Sequence, residues 1–107
     1  MGRYITTTGT AANVVRTINS SYNAQVNDRI ICTAGGFTIT LPAAASLIDN
    51  DTIQIIDGTG VSASSNITVA RNGSKIQNLS EDLTINVANA CVTLVYSTAI
   101  GTWLITR

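Results

Sequence analysis

The 107-residue sequence contains no histidine, one proline and two cysteines, and charged residues make up only 11% of it. Without histidine the chain lacks the commonest general base and metal ligand, which excludes hydrolase triads built on His. Its six basic and six acidic residues cancel. Because no basic run could follow a phosphate backbone, the composition argues against a nucleic-acid partner.

Long apolar runs are also missing from the sequence. No segment approaches the roughly 20 apolar residues of a membrane helix, and the N-terminus lacks the charged-then-apolar layout of a secretory signal. We therefore expect no membrane insertion and no secretion by that route. A chain of this length forms one domain whose core removes about two-thirds of the unfolded surface from water, so we expect modest stability of the isolated subunit.

The abundant feature is an alternation of branched or aromatic residues with Thr, Asn or Gln, which is the period of a strand buried on one face. The alternating segments are residues 37–42, 52–57, 66–69, 83–87, 92–96 and 101–105. Strands of this number and spacing predict an all-β fold, a small antiparallel β-sandwich or barrel arranged as meanders.

Turn signals subdivide the predicted strands. Asn72-Gly73 is the strongest of them and predicts a type I′ hairpin that pairs residues 67–70 with residues 75–76. A further strand pair is predicted within residues 22–33, with its turn at Asn27-Asp28. Both predictions place neighbouring strands antiparallel in one sheet.

The remaining segments define the domain organisation. Residues 42–48 begin at the single proline and are the only helical candidate, long enough for one short turn. Within residues 1–17, a run of strand-forming side chains is followed in sequence only by small residues. This pattern predicts an extended N-terminal arm that needs a surface to lie on. Residues 18–107 then form the single β domain.

Acidic side chains provide the only candidates for chemistry. Asp49 and Asp51 precede one predicted strand and Asp57 ends it, so their oxygens could bind a hard cation. The glycine and distal glutamate of a calcium loop are missing, which favours turn-forming roles. Glu81 and Asp82 are adjacent and would point to opposite faces of a strand or be solvated in a turn. We predict no catalytic, cofactor-binding or metal-binding residues, no cofactor and no enzymatic activity.

The two cysteines lie inside predicted strands, at Cys32 and Cys91. Buried thiols that pack as small hydrophobes are the favoured interpretation, and a disulfide or a redox or metal role are the alternatives. Tyr96 and Trp103 could form a platform for a sugar, but both lie in apolar strand runs, which favours core packing.

One predicted strand is apolar on both faces. Val92, Leu94 and Tyr96 would point inward, but the opposite face carries Cys91, Thr93 and Val95, which is too apolar for a solvated surface. A neighbouring copy of the chain is the simplest cover, and symmetric homo-oligomers are a common way for small domains to bury such surface.

Taken in order, the alternating segments resemble a module of tailed-phage virion proteins found in tail fibres, baseplate appendages and small capsid-associated proteins. The segments that carry the resemblance are residues 37–44, 51–57, 66–69, Asn72-Gly73, Ile76, 92–96 and 101–103. Residues 2–4 and 22–30 are also similar to short virion structural proteins of cyanophages, so the resemblance spans nearly the whole chain.

That resemblance implies a structural protein without catalytic residues, commonly a homotrimer. It leads us to expect a β knob that is made in the host cytoplasm, incorporated into the virion and fixed to the particle by its N-terminal arm. Its partners would be copies of itself and capsid or tail proteins, which it decorates, cements or joins. The alternative is a receptor- or glycan-binding module of a fibre or baseplate, in contact with a host-surface glycan through the loops at residues 61–65 and 97–102.

Overall fold

Ten short strands and one 3₁₀ turn make up the fold, in a computed structural model that describes residues 14–106. The strands are β1 (Val14–Ile18), β2 (Tyr22–Asn23), β3 (Asp28–Cys32), β4 (Thr38–Thr40), β5 (Thr52–Asp57), β6 (Ile67–Ala70), β7 (Lys75–Ile76), β8 (Leu83–Ile85), β9 (Cys91–Ser97) and β10 (Thr102–Thr106). The 3₁₀ turn covers Ala44–Ser46, inside the predicted helical segment. The predicted all-β class is confirmed.

The strands form two sheets that face each other. The large sheet has the order β1-β3-β5-β9-β10-β7, and the small sheet has the order β2-β4-β6-β8. Five of the strand pairings are parallel, and three, β5 with β9, β9 with β10 and β6 with β8, are antiparallel. The sandwich is therefore mixed, and the predicted arrangement as antiparallel meanders is wrong.

The parallel pairings follow from the path of the chain. From β1 to β8, successive strands alternate between the large and the small sheet, so no strand in this stretch pairs with its neighbour in sequence. In β1, β3 and β5 and in β2, β4 and β6, a strand that returns to the same sheet after one circuit runs in the same direction as before, which makes these pairings parallel. β8 instead runs opposite to β6, and the hairpin of β9 and β10 lies between β5 and β7 in the large sheet.

The Asn72-Gly73 turn shows why the predicted hairpin fails. Both residues have positive φ, 50° and 88°, and the Ser74 N–H donates to the Arg71 carbonyl at 3.2 Å, as in a type I′ turn. However, β6 before the turn lies in the small sheet and β7 after it lies in the large sheet. The predicted turn is confirmed, and the predicted antiparallel pairing of β6 with β7 is wrong.

The same crossing occurs at the first turn. Asn27 has a φ of 69°, as expected for a turn residue, but β2 and β3 on either side of it belong to different sheets. The predicted strand pair within residues 22–33 is therefore wrong. Gly35 lies at a close approach of two chain segments, since a Cβ there would lie 2.1 Å from the carbonyl oxygen of Ser65.

The N-terminal arm was predicted for residues 1–17. Residues 1–13 lie outside the described residues, and residues 14–17 belong to β1, which pairs with β3 along one edge of the large sheet. Between residues 14 and 106 the chain forms no helix with the length and hydropathy to cross a membrane.

The core lies between the two sheets. Most of its buried hydrophobic residues come from alternate positions of strands in both sheets, which is the predicted pattern. They are Ala24, Ile30, Cys32, Ile39, Leu41, Leu47, Ile53, Ile55, Ile67, Val69, Ile76, Ile85, Leu94, Tyr96 and Trp103. Since the small sheet has four strands and the large sheet six, part of the large sheet is left for other contacts.

Candidate functional site

The face of the large sheet that points away from the core is the first candidate site. Its side chains come from the strand positions that alternate with the buried ones, and we call this set the outer face. The outer face consists of Val15, Thr17, Arg29, Ile31, Thr52, Gln54, Ile56, Cys91, Thr93, Val95, Ser97, Leu104 and Thr106. Aliphatic side chains and threonines dominate it, and Arg29 is its single charged residue.

The outer face is only partly shielded. Ile30, Ile53 and Leu94 on the core side are 0% exposed, whereas the outward residues of the same strands are half-buried or exposed. With strands about 4.8 Å apart and about 3.4 Å per residue, the five strands from β1 to β10 present an area on the order of 400 Å². Continuous patches of this size on a subunit are often interaction sites.

The polar side chains of the outer face are mostly threonines, and one polar atom of this face lacks a partner in the part of the chain that the structure describes. Gln54 donates to the Thr93 hydroxyl at 3.2 Å, which satisfies two side chains across neighbouring strands. The Nε of Arg29 is buried and has no hydrogen-bond partner among the described residues.

The two cysteines differ in their surroundings. Both are free. Cys32 is fully buried, and burial together with the nearby Asp57 carboxylate raises the pKa of its thiol to about 11. Cys91 is exposed on the outer face, so the favoured interpretation of two buried thiols is confirmed for Cys32 and wrong for Cys91.

Asp57 forms the most connected polar site among the described residues. Its side chain is 3% exposed at the end of β5. One oxygen, Oδ1, accepts from the backbone N–H groups of Gly60 and Val61 at 3.0 and 3.3 Å. The other, Oδ2, accepts from the N–H groups of Ser62 and Asn89, both at 3.0 Å. These bonds join two loops that are far apart in sequence.

Ser62 completes the Asp57 site. Its hydroxyl lies 2.8 Å from Asp57 Oδ2 and 2.6 Å from the carbonyl oxygen of Val87, and its side chain is fully buried. Burial by itself would raise the pKa of Asp57, but the hydrogen bonds from Ser62, Asn89 and Val61 outweigh it and hold the pKa at about 2. The carboxylate is therefore ionised and fully used in holding the loops, which leaves it no chemical role.

The other aspartates also form turns. Asp49 accepts from the backbone N–H of Thr98 at 3.0 Å, and Asp51 accepts from the N–H of Ile48 at 2.8 Å. Asp51 precedes β5 and Asp57 ends it, so these carboxylates do not converge. The turn-forming interpretation is confirmed, and no three His, Cys, Asp or Glu side chains within residues 14–106 are grouped to hold a metal.

The aromatic pair lies in the core, as the sequence analysis favoured. Trp103 is 0% exposed and Tyr96 is 7% exposed. Their rings pack edge to face with centroids 5.3 Å apart and an interplanar angle of 66°. The faces of these rings are therefore covered by protein, and neither ring offers a platform to a sugar.

A second candidate site is a groove where the large sheet extends beyond the small one. We call the space between β8 and strands β9 and β10 the open groove. One part has a volume of about 300 Å³ and is lined by residues that include Leu83, Ile85, Val87, Val92 and Ile105. The adjoining part, about 220 Å³, shares Leu83 and Ile105 and ends at Glu81 and Asp82.

The open groove has an unpaired backbone along one side. Within residues 14–106, β8 pairs with β6 on one edge and with no strand on the other. Val87 and Leu79 stand 64% and 55% exposed at the groove. The groove was not predictable from the sequence, because β8 and β10 come together only through the winding of the chain. The only indication of the groove in the sequence is the pair of aliphatic residues Leu79 and Val87, whose exposure the structure shows.

No protein-family model matches the chain, and no curated protein matches it.

Proposed function

We propose that this chain is a non-enzymatic structural protein of a tailed-phage virion, a small homotrimeric β knob that decorates or cements the capsid or joins an appendage. The virion setting and the trimer come from the sequence resemblance. The observation that carries the structural role is the outer face, a surface on the order of 400 Å² in which aliphatic side chains and threonines dominate and only one residue is charged. Such a surface suits a permanent contact with a second copy.

The composition of the chain supports the same role. With charged residues at 11% and no net charge, solvation of the free subunit is weak and repulsion between copies is small. Edges of both sheets are unpaired within residues 14–106, at β1 and β7 in the large sheet and at β2 and β8 in the small one. Unpaired edges are sites at which further strands can pair.

A glycan-binding module is the alternative that the resemblance allows. It would need an exposed aromatic side chain at the candidate loops, and the aromatic residue next to the loop at 97–102, Trp103, lies in the core. No described feature favours this alternative, so we do not propose it.

The first test is the assembly state of the purified full chain and of a Val95→Lys variant. Val95 lies on the outer face between Thr52 and Leu104. We expect an oligomer for the wild-type protein in sedimentation velocity, and an association at least tenfold weaker for the variant because a lysine would be buried without a partner. Ile48→Lys is the matched control, since Ile48 is 69% exposed and outside the outer face, and it should leave the oligomer unchanged. A wild-type monomer at all concentrations would rule out the proposal.

The reactivity of the Cys91 thiol provides a second test, because Cys91 lies on the outer face. In the dissociated Val95→Lys subunit we expect a thiol reagent to modify Cys91 quickly and to leave Cys32 unmodified until the protein is unfolded, since Cys32 is buried and its pKa is raised. In the assembled wild-type protein Cys91 should be protected. Equal reactivity of Cys91 in both proteins would contradict assembly through the outer face. Thiol titration with mass spectrometry of the labelled peptides measures both rates.

A further inference from the structure

We propose that the open groove receives residues 3–8 of a neighbouring copy as an added strand beside β8, an inference that rests on the proposed function. The outer face alone, on the order of 400 Å², supplies about half of the 800 Å² or so that each partner buries in a standard protein interface. A stable assembly therefore needs a further contact. The open groove offers both apolar lining and an unpaired strand edge for it.

The chemistry of the groove matches that segment. Residues 4–8 read Tyr-Ile-Thr-Thr-Thr, the strand-forming run within residues 1–13, and the only charged side chain in those 13 residues is Arg3. The two charged residues that line the groove, Glu81 and Asp82, are both acidic and lie together at one end of it. If Arg3 meets this acidic end, the segment runs parallel to β8 and Ile5 reaches the apolar part of the groove near Ile105.

The length of the link between the segment and β1 decides whether the segment in the groove comes from the same chain or from a neighbouring copy. Residue 14 begins β1, at the opposite edge of the large sheet, and four strand spacings of about 4.8 Å separate β1 from β10, which is about 19 Å in a straight line. The link from residue 8 to residue 14 spans about 20 Å at full extension. A straight path would cross the sandwich, and any path around it is longer than the link. The segment in the groove therefore comes from another copy.

On this assignment, the partner of the N-terminal segment is a second copy of the same protein and not another virion protein. It also explains why β8 has an apolar, open edge next to two carboxylates. Edge strands are usually protected from pairing by charges, bulges or short length; β8 is short, at three residues, but the apolar Val87 and Leu79 stay exposed beside its edge.

Cross-linking of the full chain tests the inference. In a Cys91→Ser background, Ile5→Cys combined with Ile105→Cys should give an interchain disulfide, seen as a covalent ladder on a non-reducing gel. The matched control replaces Ile105→Cys by Ile48→Cys, which is exposed away from the groove, and should give no ladder. A disulfide within one chain, or none at all, would overturn the inference.

A charge exchange tests it without introduced thiols. Arg3→Glu and Glu81→Arg should each weaken association by about tenfold, and the double variant should recover most of the loss because the ion pair is restored in reverse. Losses that simply add would overturn the inference. If the wild-type chain assembles and Val95→Lys dissociates it while the groove variants have no effect, only this inference fails; if the wild-type chain is a monomer, the proposed function fails with it.

Discussion

Asp57→Asn is expected to destabilise the domain by about 3 kcal/mol, a large part of the 5–15 kcal/mol that holds a typical domain folded. The carboxylate accepts from four backbone N–H groups, those of Gly60, Val61, Ser62 and Asn89, and from the Ser62 hydroxyl. An amide can accept at only one end, so its NH₂ group would face donors and leave buried N–H groups unsatisfied. Urea denaturation followed by circular dichroism measures the loss.

Asp49→Asn is the matched control for that measurement. Asp49 also accepts from a backbone N–H, that of Thr98, but the site is exposed and water can replace the lost acceptor. We expect the control to lose less than about 1 kcal/mol. Equal losses for the two variants would mean that the Asp57 site does not hold its loops as the hydrogen bonds indicate.

The same site sets the expected response to acid. The folded pKa of Asp57, about 2, lies below its ordinary value of 3.8. A group with a depressed folded pKa stabilises the protein above its unfolded pKa, and that contribution is lost as the pH falls from about 5 through 2. The loss amounts to about 2 kcal/mol. The difference in unfolding free energy between wild type and Asp57→Asn should therefore narrow over this pH range, and a constant difference would contradict the assignment.

Trp103→Ala is expected to cost about 4 kcal/mol, because it removes the largest fully buried side chain and leaves a cavity between the sheets. The edge-to-face contact with Tyr96 is lost as well. Since Trp103 is the only tryptophan, unfolding of the variant should be followed by circular dichroism. Near-native stability of this variant would contradict the packing of the core.

Trp103→Phe provides a graded comparison. The indole Nε1 of Trp103 has no hydrogen-bond partner among the described residues, so phenylalanine removes volume but no hydrogen bond. We expect a loss of about 1–2 kcal/mol for this variant, well below that of alanine. Leu79→Ala, at a side chain that is 55% exposed, should change stability by less than about 0.5 kcal/mol.

Local features of the fold were predictable from short stretches of sequence. Alternation predicted strands and their buried faces, because every second side chain of a strand points to the same side whatever its neighbours are. The positive φ values at Asn27 and at Asn72-Gly73 followed from residues that tolerate that conformation. The core positions of Tyr96 and Trp103, and the turn-forming aspartates, were predictable for the same local reasons.

Strand partners were not predictable in this way. The Asn72-Gly73 turn has the geometry of a hairpin, yet the chain leaves it in the other sheet. A turn fixes the backbone conformation of four residues. The sheet that the next strand joins depends instead on which face of the core is still exposed to solvent. Similarly, the turn at Asp57 was predictable, but the hydrogen bond that Asp57 accepts from Asn89 joins residues 32 positions apart.

By itself, then, the amino-acid sequence determined an all-β domain that has few charged residues and no histidine, and that contains a central strand apolar on both faces. The tertiary structure alone decided that the strands wind between two sheets, that Cys91 and not Cys32 is exposed, and that β8 borders an open groove. The physical reason is the separation along the chain of the residues that interact. Side-chain alternation and turn conformation depend on adjacent residues, whereas sheet membership and grooves depend on contacts between residues that are distant in sequence.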